Sequence, residues 1–417
     1  MKSGTIAAIA TGTISATLAP VRAAVSVADF EPLVPENRVL GGLREFAHEV
    51  QQEAWRLSGF AHPSVLHALS PLLRAMNSYY TNRIEGQHTL PADIENAMRQ
   101  EFAASPDLAA RQRLAMAHMK TEEWAEETCG DRRPQSLFDA DVVCAIHGRL
   151  YAQLSRADLE ALDGAAVEPG TLRTRDVTVG AHVAPPPEAL PPLLDHFATR
   201  YSALPAGESL LIGVACAHHR LSWIHPFTDG NGRAARLHSH VLLAAMQLTG
   251  GLWSPMRGLA RNRDQYYALL HNADLPRRNE LDGRGRLSQE HLVAFATFFL
   301  STCLDQVRFM RGMLRLDEMR SRLDALLTFE SAHGHDYLNA AAGDALHYAF
   351  LNGPLVRRRF LAMLGLPERS GRRVLTALLR YGLLTSESPK GPVHFAVPFR
   401  ALRFLFPALW PEAEAGG

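Results

Sequence analysis

The sequence predicts a mainly all-α fold: a helical core carrying one short β-hairpin, followed by a small α+β unit. Three observations predict it. Apolar residues recur at helical spacing through most of the chain, as at Leu210, Val214 and Leu221 and again at Leu237, Val241, Leu242 and Met246. Strand-like alternation is confined to two short runs, Val177 with Val179, and Val393 with Phe395 and Val397. A length of 417 residues is enough for two to three domains with substantial cores.

Taken in order, residues 1–37 read as an irregular leader. The apolar run near its start is broken by Thr11, Gly12, Thr13 and Ser15, and Arg22 lies where a signal cleavage region is uncharged. Phe30 to Asn37, with Pro32 and Pro35, is an extended lead-in. An N-terminal helical region, 38–115, comes next, with helical patterns over Val39 to Leu57, Val65 to Glu85 and Pro91 to Phe102. A further helix spans 107–128 and leads into a second domain, 116–330, with an amphipathic segment around Val142, Ile146, Leu150 and Tyr151. His147 on that segment reads as a packed structural histidine. No stretch has the length of a membrane span.

Beyond Ala325 the character changes, and residues 340–417 form the C-terminal domain. Val356 to Leu366 reads as a helix, Pro367 to Ser370 as a turn, and Gly371 to Leu384 as a second helix before the strand-spaced run. Residues 345–417 hold ten Lys or Arg against four Asp or Glu. Arg357, Arg358, Arg359, Arg369, Arg372 and Arg373 therefore either meet DNA phosphates or solvate a protein-contact or dimerisation surface. Over the whole chain Lys plus Arg equals Asp plus Glu, 43 each, which points to no nucleic-acid or membrane partner. Cys129, Cys144, Cys216 and Cys303 are too widely spaced for a zinc ribbon or redox pair, and fit buried thiols in a reducing, cytoplasmic setting.

Chemistry concentrates in the run His225-Pro226-Phe227-Thr228-Asp229-Gly230-Asn231-Gly232-Arg233-Ala234-Ala235-Arg236. Pro226 ends the preceding helix and helical spacing resumes at Arg233. Gly230 and Gly232 thus sit at a helix N-terminus, where N–H groups and the macrodipole favour phosphate. Asp229 is a hard oxygen ligand of the kind Mg²⁺ takes. Arg233 and Arg236 share a helix face and can grip one polyphosphate through planar guanidinium groups. His225 can take a proton from a Ser, Thr or Tyr hydroxyl. Asn231 offers an amide to a phosphate oxygen, Phe227 anchors the loop in the core, and His218 and His219 support it from behind. These are the parts of a nucleotidyl transferase.

This run resembles the Fic (filamentation induced by cAMP) family, whose pattern His-Pro-Phe-x-Asp/Glu-Gly-Asn-Gly-Arg-x-x-Arg it matches at every fixed position. The resemblance implies a Fic-type helical catalytic core that transfers AMP from ATP to a protein hydroxyl and releases pyrophosphate. By it, His225 is the base, Asp229 the Mg²⁺ ligand, Gly230, Asn231, Gly232 and Arg233 the phosphate cradle, and Arg236 the γ-phosphate holder. In the related Doc kinases a lysine replaces the second glycine, so Gly232 favours nucleotidyl over phosphoryl transfer. Pro169 to Gly180 resembles the family's flap, a hairpin where Thr178, Val179 and Gly180 would dock the target by strand addition. Arg261 to Tyr267 resembles the nucleotide-side helix, with Asn262 and Tyr267 lining a base or ribose pocket.

Thr81-Asn82-Arg83-Ile84-Glu85-Gly86 fits the family's inhibitory pattern. Glu85 would pair with Arg236 in place of the γ-phosphate, and Gly86 would close its helix. The C-terminal order looks like a winged helix-turn-helix. The expected function is a cytoplasmic protein adenylyltransferase, autoinhibited by Glu85, using ATP and Mg²⁺ on a protein partner or on itself, with homodimerisation left open. The alternatives are a DNA-binding regulator whose Fic domain senses nucleotide, and a Fic enzyme that uses another donor or removes AMP. Pure sensing needs no base, so His225 argues for chemistry.

Overall fold

The computed structural model describes residues 25–409 except 61–62, 164–166, 315 and 335–336. The leader up to residue 24 lies outside the described residues, but the residues directly after it are built into the core. Val27–Phe30 form a 3-10 turn, Phe30 and Leu33 are fully buried, and Phe30 stacks on Trp223 with centroids 5.0 Å apart. Arg220 donates to Pro32 O and Tyr201 to Leu33 O. Residues 25–37 are irregular apart from short 3-10 turns, yet they are anchored by two buried apolar side chains that contribute roughly 1.5–3 kcal/mol each.

The chain then runs through α1 (Gly41–Phe60), α2 (Pro63–Ile84), α3 (Pro91–Met98), α4 (Pro106–Cys129), α5 (Ala140–Tyr151) and α6 (Arg156–Asp163). The hairpin β1–β2 (Thr178–Val179, His182–Val183) precedes α7 (Leu190–Ser202), α8 (Glu208–Ile224) and α9 (Asn231–Ala245). After these come α10 (Met256–Arg261), α11 (Arg263–Ala273) and α12 (Gln289–Met313). The fold is mainly all-α, as the periodicity predicts. α3 ends four residues earlier than expected, where Gln100 takes φ 64 and Gln112 accepts from Ala103 N.

α8 and α9 form the centre. Almost every residue of both is buried, α8 packing on α1, α7, α9 and α12, and α9 also on α4 and α5. Packing rather than propensity therefore selects this pair, and it holds the loop between them rigidly at both ends. α12 corrects the expectation about membrane-span length. Its 25 residues, with mean hydropathy 1.3 over the most apolar window, are long and apolar enough to cross a membrane. Leu292, Phe295, Phe299, Leu300 and Val307 are instead buried in the core that α12 shares with α1, α8 and α11.

The remaining elements are α13 (Leu316–Ala332), α14 (Gly343–Asn352), α15 (Arg357–Met363), α16 (Glu368–Tyr381), β3–β4 (Leu384–Thr385, His394–Phe395) and α17 (Leu402–Leu405). α16 begins inside what the sequence presents as a turn, since extended Pro367 can start a helix but not continue one. It stops three residues early because Gly382 takes φ 93 and Leu384 pairs with Phe395 in a strand. α14 and β4 pack against α2.

Candidate active site

α8 closes on His225, which adopts the left-handed conformation at φ 51. A non-glycine residue there is strained by about 1–3 kcal/mol and needs anchors. Arg173, 3% exposed, supplies them. It donates from Nε to His225 O (2.8 Å) and from Nη2 to Ile224 O (3.4 Å) and Pro185 O (2.6 Å). Its own N–H donates to Pro226 O at 2.9 Å. One guanidinium thus ties the root of the hairpin to the 225–230 loop.

Inside the loop, Phe227 is buried and stacks on His147 at 3.8 Å. His147 Nε2 donates to Asp229 O (3.0 Å), and Gly170 N donates to its Nδ1 (2.9 Å). That pattern assigns a neutral ring, in keeping with burial, which lowers its pKa to about 4. Asn231 accepts from Phe227 N and donates to Phe227 O, both at 2.9 Å. The amide expected at a phosphate oxygen is occupied by the loop itself. Gly230 takes φ 78, and any side chain there would run into the Tyr151 ring.

Two groups in this loop keep unused atoms. Asp229 Oδ1 accepts from Gly230 N at 2.6 Å, while Oδ2 is buried with no hydrogen-bond partner. Leaving such an acceptor unpaired costs about 1–3 kcal/mol, which fits a carboxylate kept for a hard cation such as Mg²⁺. His225 Nδ1 lies 3.4 Å from Ser222 O. A carbonyl only accepts, so the proton belongs on Nδ1 and Nε2 keeps its lone pair. Burial lowers the pKa of His225 to about 4, leaving the ring neutral at physiological pH.

Across the cleft Arg236, Glu85 and the Ile84 carbonyl are paired. Arg236, 1% exposed, donates from Nε to Thr81 Oγ1 (2.7 Å) and from Nη2 to Thr81 O (3.3 Å) and Glu85 Oε1 (2.5 Å). The Glu85 carboxylate lies against Gly232, at the N-terminus of α9. Burial pushes the Glu85 pKa up, but Arg236 and Arg233 outweigh it and hold the group below the usual carboxylate range. Gly86 at φ 77 and the Gln87 N to Asn82 O bond (2.9 Å) close α2 and aim Glu85. Arg233 donates to Tyr151 Oη (2.5 Å) and Gln87 Oε1 (2.7 Å). Arg263 and Tyr267 both donate to Ile84 O, at 2.8 and 3.1 Å, fastening α11 to the end of α2.

These walls enclose a cavity of about 210 Å³ lined by Glu85, Val179, His225, Asn231, Gly232, Arg236 and Tyr267 among others. That is less than the roughly 300–1,000 Å³ of small-molecule sites. Thr81, Asp229, Gly230 and Arg233 stand outside this lining, as do Thr178 and Gly180 of the hairpin. Asn262 also lies outside it, at the start of α11, donating to Gly258 O. Val179 pairs with His182, and both Val179 and Val183 are exposed. His218 bonds Ser239 and Tyr266 behind the cavity.

Sequence reasoning missed Arg173, Tyr151, Gln87 and Asp274. Asp274 sits 3.3 Å from His182 Nδ1 and 3.1 Å from His219 Nε2, joining the hairpin to α8. Burial works to raise its pKa, but these two imidazoles hold it well below the carboxylate range. No local signal marks such residues, since their partners lie far off in the chain: 52 residues for Arg173 to His225 and 146 for Gln87 to Arg233.

The Fic/DOC family profile matches residues 137–243. The chain is 37% identical over 112 residues to "Protein adenylyltransferase Fic" of Aedes aegypti, covering 26% of this chain and 21% of that one. Identity to "Protein adenylyltransferase fic-1" of Caenorhabditis briggsae is 37% over 113 residues, with the same coverage. The chain thus spans about a fifth of the length of these curated relatives. A Fic family protein from Desulfovibrio desulfuricans superposes with a TM-score of 0.50 at 18% identity, over 87% of this chain and 98% of that one, a likeness of fold. Sequence and geometry meet in the same segment: this chain carries a Fic/DOC family domain, and the His225–Arg236 loop lies within it.

Proposed function

We propose that this protein is an adenylyltransferase that moves AMP from ATP to a protein hydroxyl and is held off by Glu85. One observation carries the reading. A neutral His225 borders the same cavity as Arg236 and the α9 N-terminus, and a carboxylate occupies that anion site. With Glu85 displaced, the helix N-terminus and Arg236 would take the phosphate tail, and Arg233 would add positive charge beside it. His225 Nε2 removes the proton of the target hydroxyl. The oxygen then bonds to the α-phosphorus as the bond to the bridging oxygen breaks, and pyrophosphate leaves. Asp229 would hold Mg²⁺, which when bound supplies charge neutralisation on the phosphates. Val179 and Val183 leave an exposed hairpin for an extended target segment to join by strand addition.

The test is a labelling assay with ATP carrying label on the α-phosphate. Glu85→Gly is expected to label protein in a lysate or to label itself, and the double variant with His225→Ala to lose that label. Label that persists in the double variant would sink the reading. A nucleotide-sensing, DNA-bound regulator is favoured by one feature. Arg358, Arg359, Arg369, Arg372 and Arg373 are exposed on α15 and α16, the pair expected of a winged helix. Salt-dependent binding of duplex DNA, without label transfer in any variant, would favour that second reading.

A further inference from the structure

Away from the cleft, α4 and α9 bury a second ionisable cluster that the transfer chemistry does not use. His118, Glu122 and Glu126 succeed one another at four-residue spacing on α4, and His240 meets them from α9. His240 Nε2 lies 2.8 Å from Glu126 Oε1 and 3.6 Å from Glu122 Oε1. The candidate ligand atoms of Glu122, Glu126 and His240 all fall within 4.8 Å of one another. Glu122 is 1% exposed and His118 fully buried. Glu122 Oε2 and both nitrogens of His118 have no hydrogen-bond partner, and Glu122 Oε2 faces His118 Nδ1 at 3.7 Å. Glu122, Glu126 and His240 also line a small cavity of about 30 Å³, room enough for a water or an ion.

We propose that Glu122, Glu126 and His240 form a binding site for one divalent transition-metal ion of the zinc type, with His118 packed beside Glu122. Mixed imidazole and carboxylate donors select such an ion over Mg²⁺ or Ca²⁺, which prefer all-oxygen shells. The outer shell is already in place. Asn77 donates to Glu122 Oε1 (2.7 Å), and Arg74 bridges Glu126 (2.9 Å) and Glu123 (2.6 Å). Carboxylate and neutral imidazole are the forms that bind metal, so binding would release to solvent any proton the cluster holds.

The experiment uses the full chain, stripped with chelator and titrated with ZnCl₂ alone and with CoCl₂ alone. One Zn²⁺ per chain by calorimetry, visible ligand-field bands with Co²⁺, and a higher Tm are expected. Asp229→Ala should retain all three, which separates this site from the loop carboxylate. Glu122→Gln and His240→Gln should each weaken Zn²⁺ binding by at least about a hundredfold while the metal-free Tm shows them folded. If neither variant folds, the wild-type Co²⁺ spectrum decides, and absence of those bands overturns the site. Equal affinity in wild type and the folded variants, or no saturable binding, overturns it as well.

Discussion

The two walls of the cavity at Gly232 are finished to different degrees. On the α2 wall, Arg236 is satisfied by Thr81 and Glu85, and Ile84 O receives both Arg263 and Tyr267. On the loop side, Asp229, just outside the lining, keeps a buried Oδ2 without a hydrogen-bond partner, and the His225 ring is held through Nδ1. The loop keeps its shape because Arg173, His147 and Asn231 bind its backbone while leaving those reactive atoms clear. Unpaired atoms in a rigid frame suit chemistry. Paired atoms across the same cavity suit the proposed brake, whose bonds an entering anion would have to exchange.

The contrast can be broken most directly at the loop wall. In a Glu85→Gly background, His225→Ala should lower the transfer rate on the order of 10³-fold, measured by initial rates with labelled ATP. A loss of less than tenfold would mean the ring is not the base. The α2 wall gives the next largest effect. Glu85→Gly alone should raise transfer about a hundredfold, since it removes the carboxylate of a partly buried ion pair from the anion site. Equal or lower activity would remove the brake. Its Tm should fall as well, since Arg236 then loses its carboxylate partner.

Smaller effects sharpen the comparison. Arg173→Lys should reduce kcat about tenfold with little change in the KM for ATP, because it loosens the frame rather than a nucleotide contact. A KM effect instead would place Arg173 against the nucleotide. Thr81→Val should raise basal transfer by about fivefold, the worth of one hydrogen bond near 1 kcal/mol. Last, pH should matter little. The pKa of His225 near 4 keeps the base neutral, and Glu85, held below the usual range, stays ionised. kcat/KM of the Glu85→Gly variant should be flat from pH 7.5 to about 5.5 and fall only as His225 protonates below that. An acid limb centred near the ordinary imidazole value of about 6.5 would show that the ring is not desolvated in solution.

The features legible in the amino-acid order are local ones. The periodicity of α2, α8 and α9 is legible because each buries a face set by residues three and four apart, and the 225–236 run is legible because its chemistry is contiguous. The opposition of Glu85 to Arg236 came from a resemblance, since 151 residues separate them and no spacing rule connects them. The burial of Phe30 and the displaced ends of α3 and α16 were hidden for a related reason: packing and a single positive φ overrode local preference. Asn231 reads as a phosphate ligand from its type alone, and only its two bonds to Phe227 show that the loop uses it first.

By itself, the order of amino acids determined which residues carry reactive groups and which segments coil into helices, because both depend on neighbours within a turn or two. The tertiary structure alone decided which of those groups remain unpaired, which are neutralised by burial and which partner closes the cavity. Those properties belong to the electrostatics and sterics of surfaces brought together from distant parts of the chain, and no local pattern encodes them.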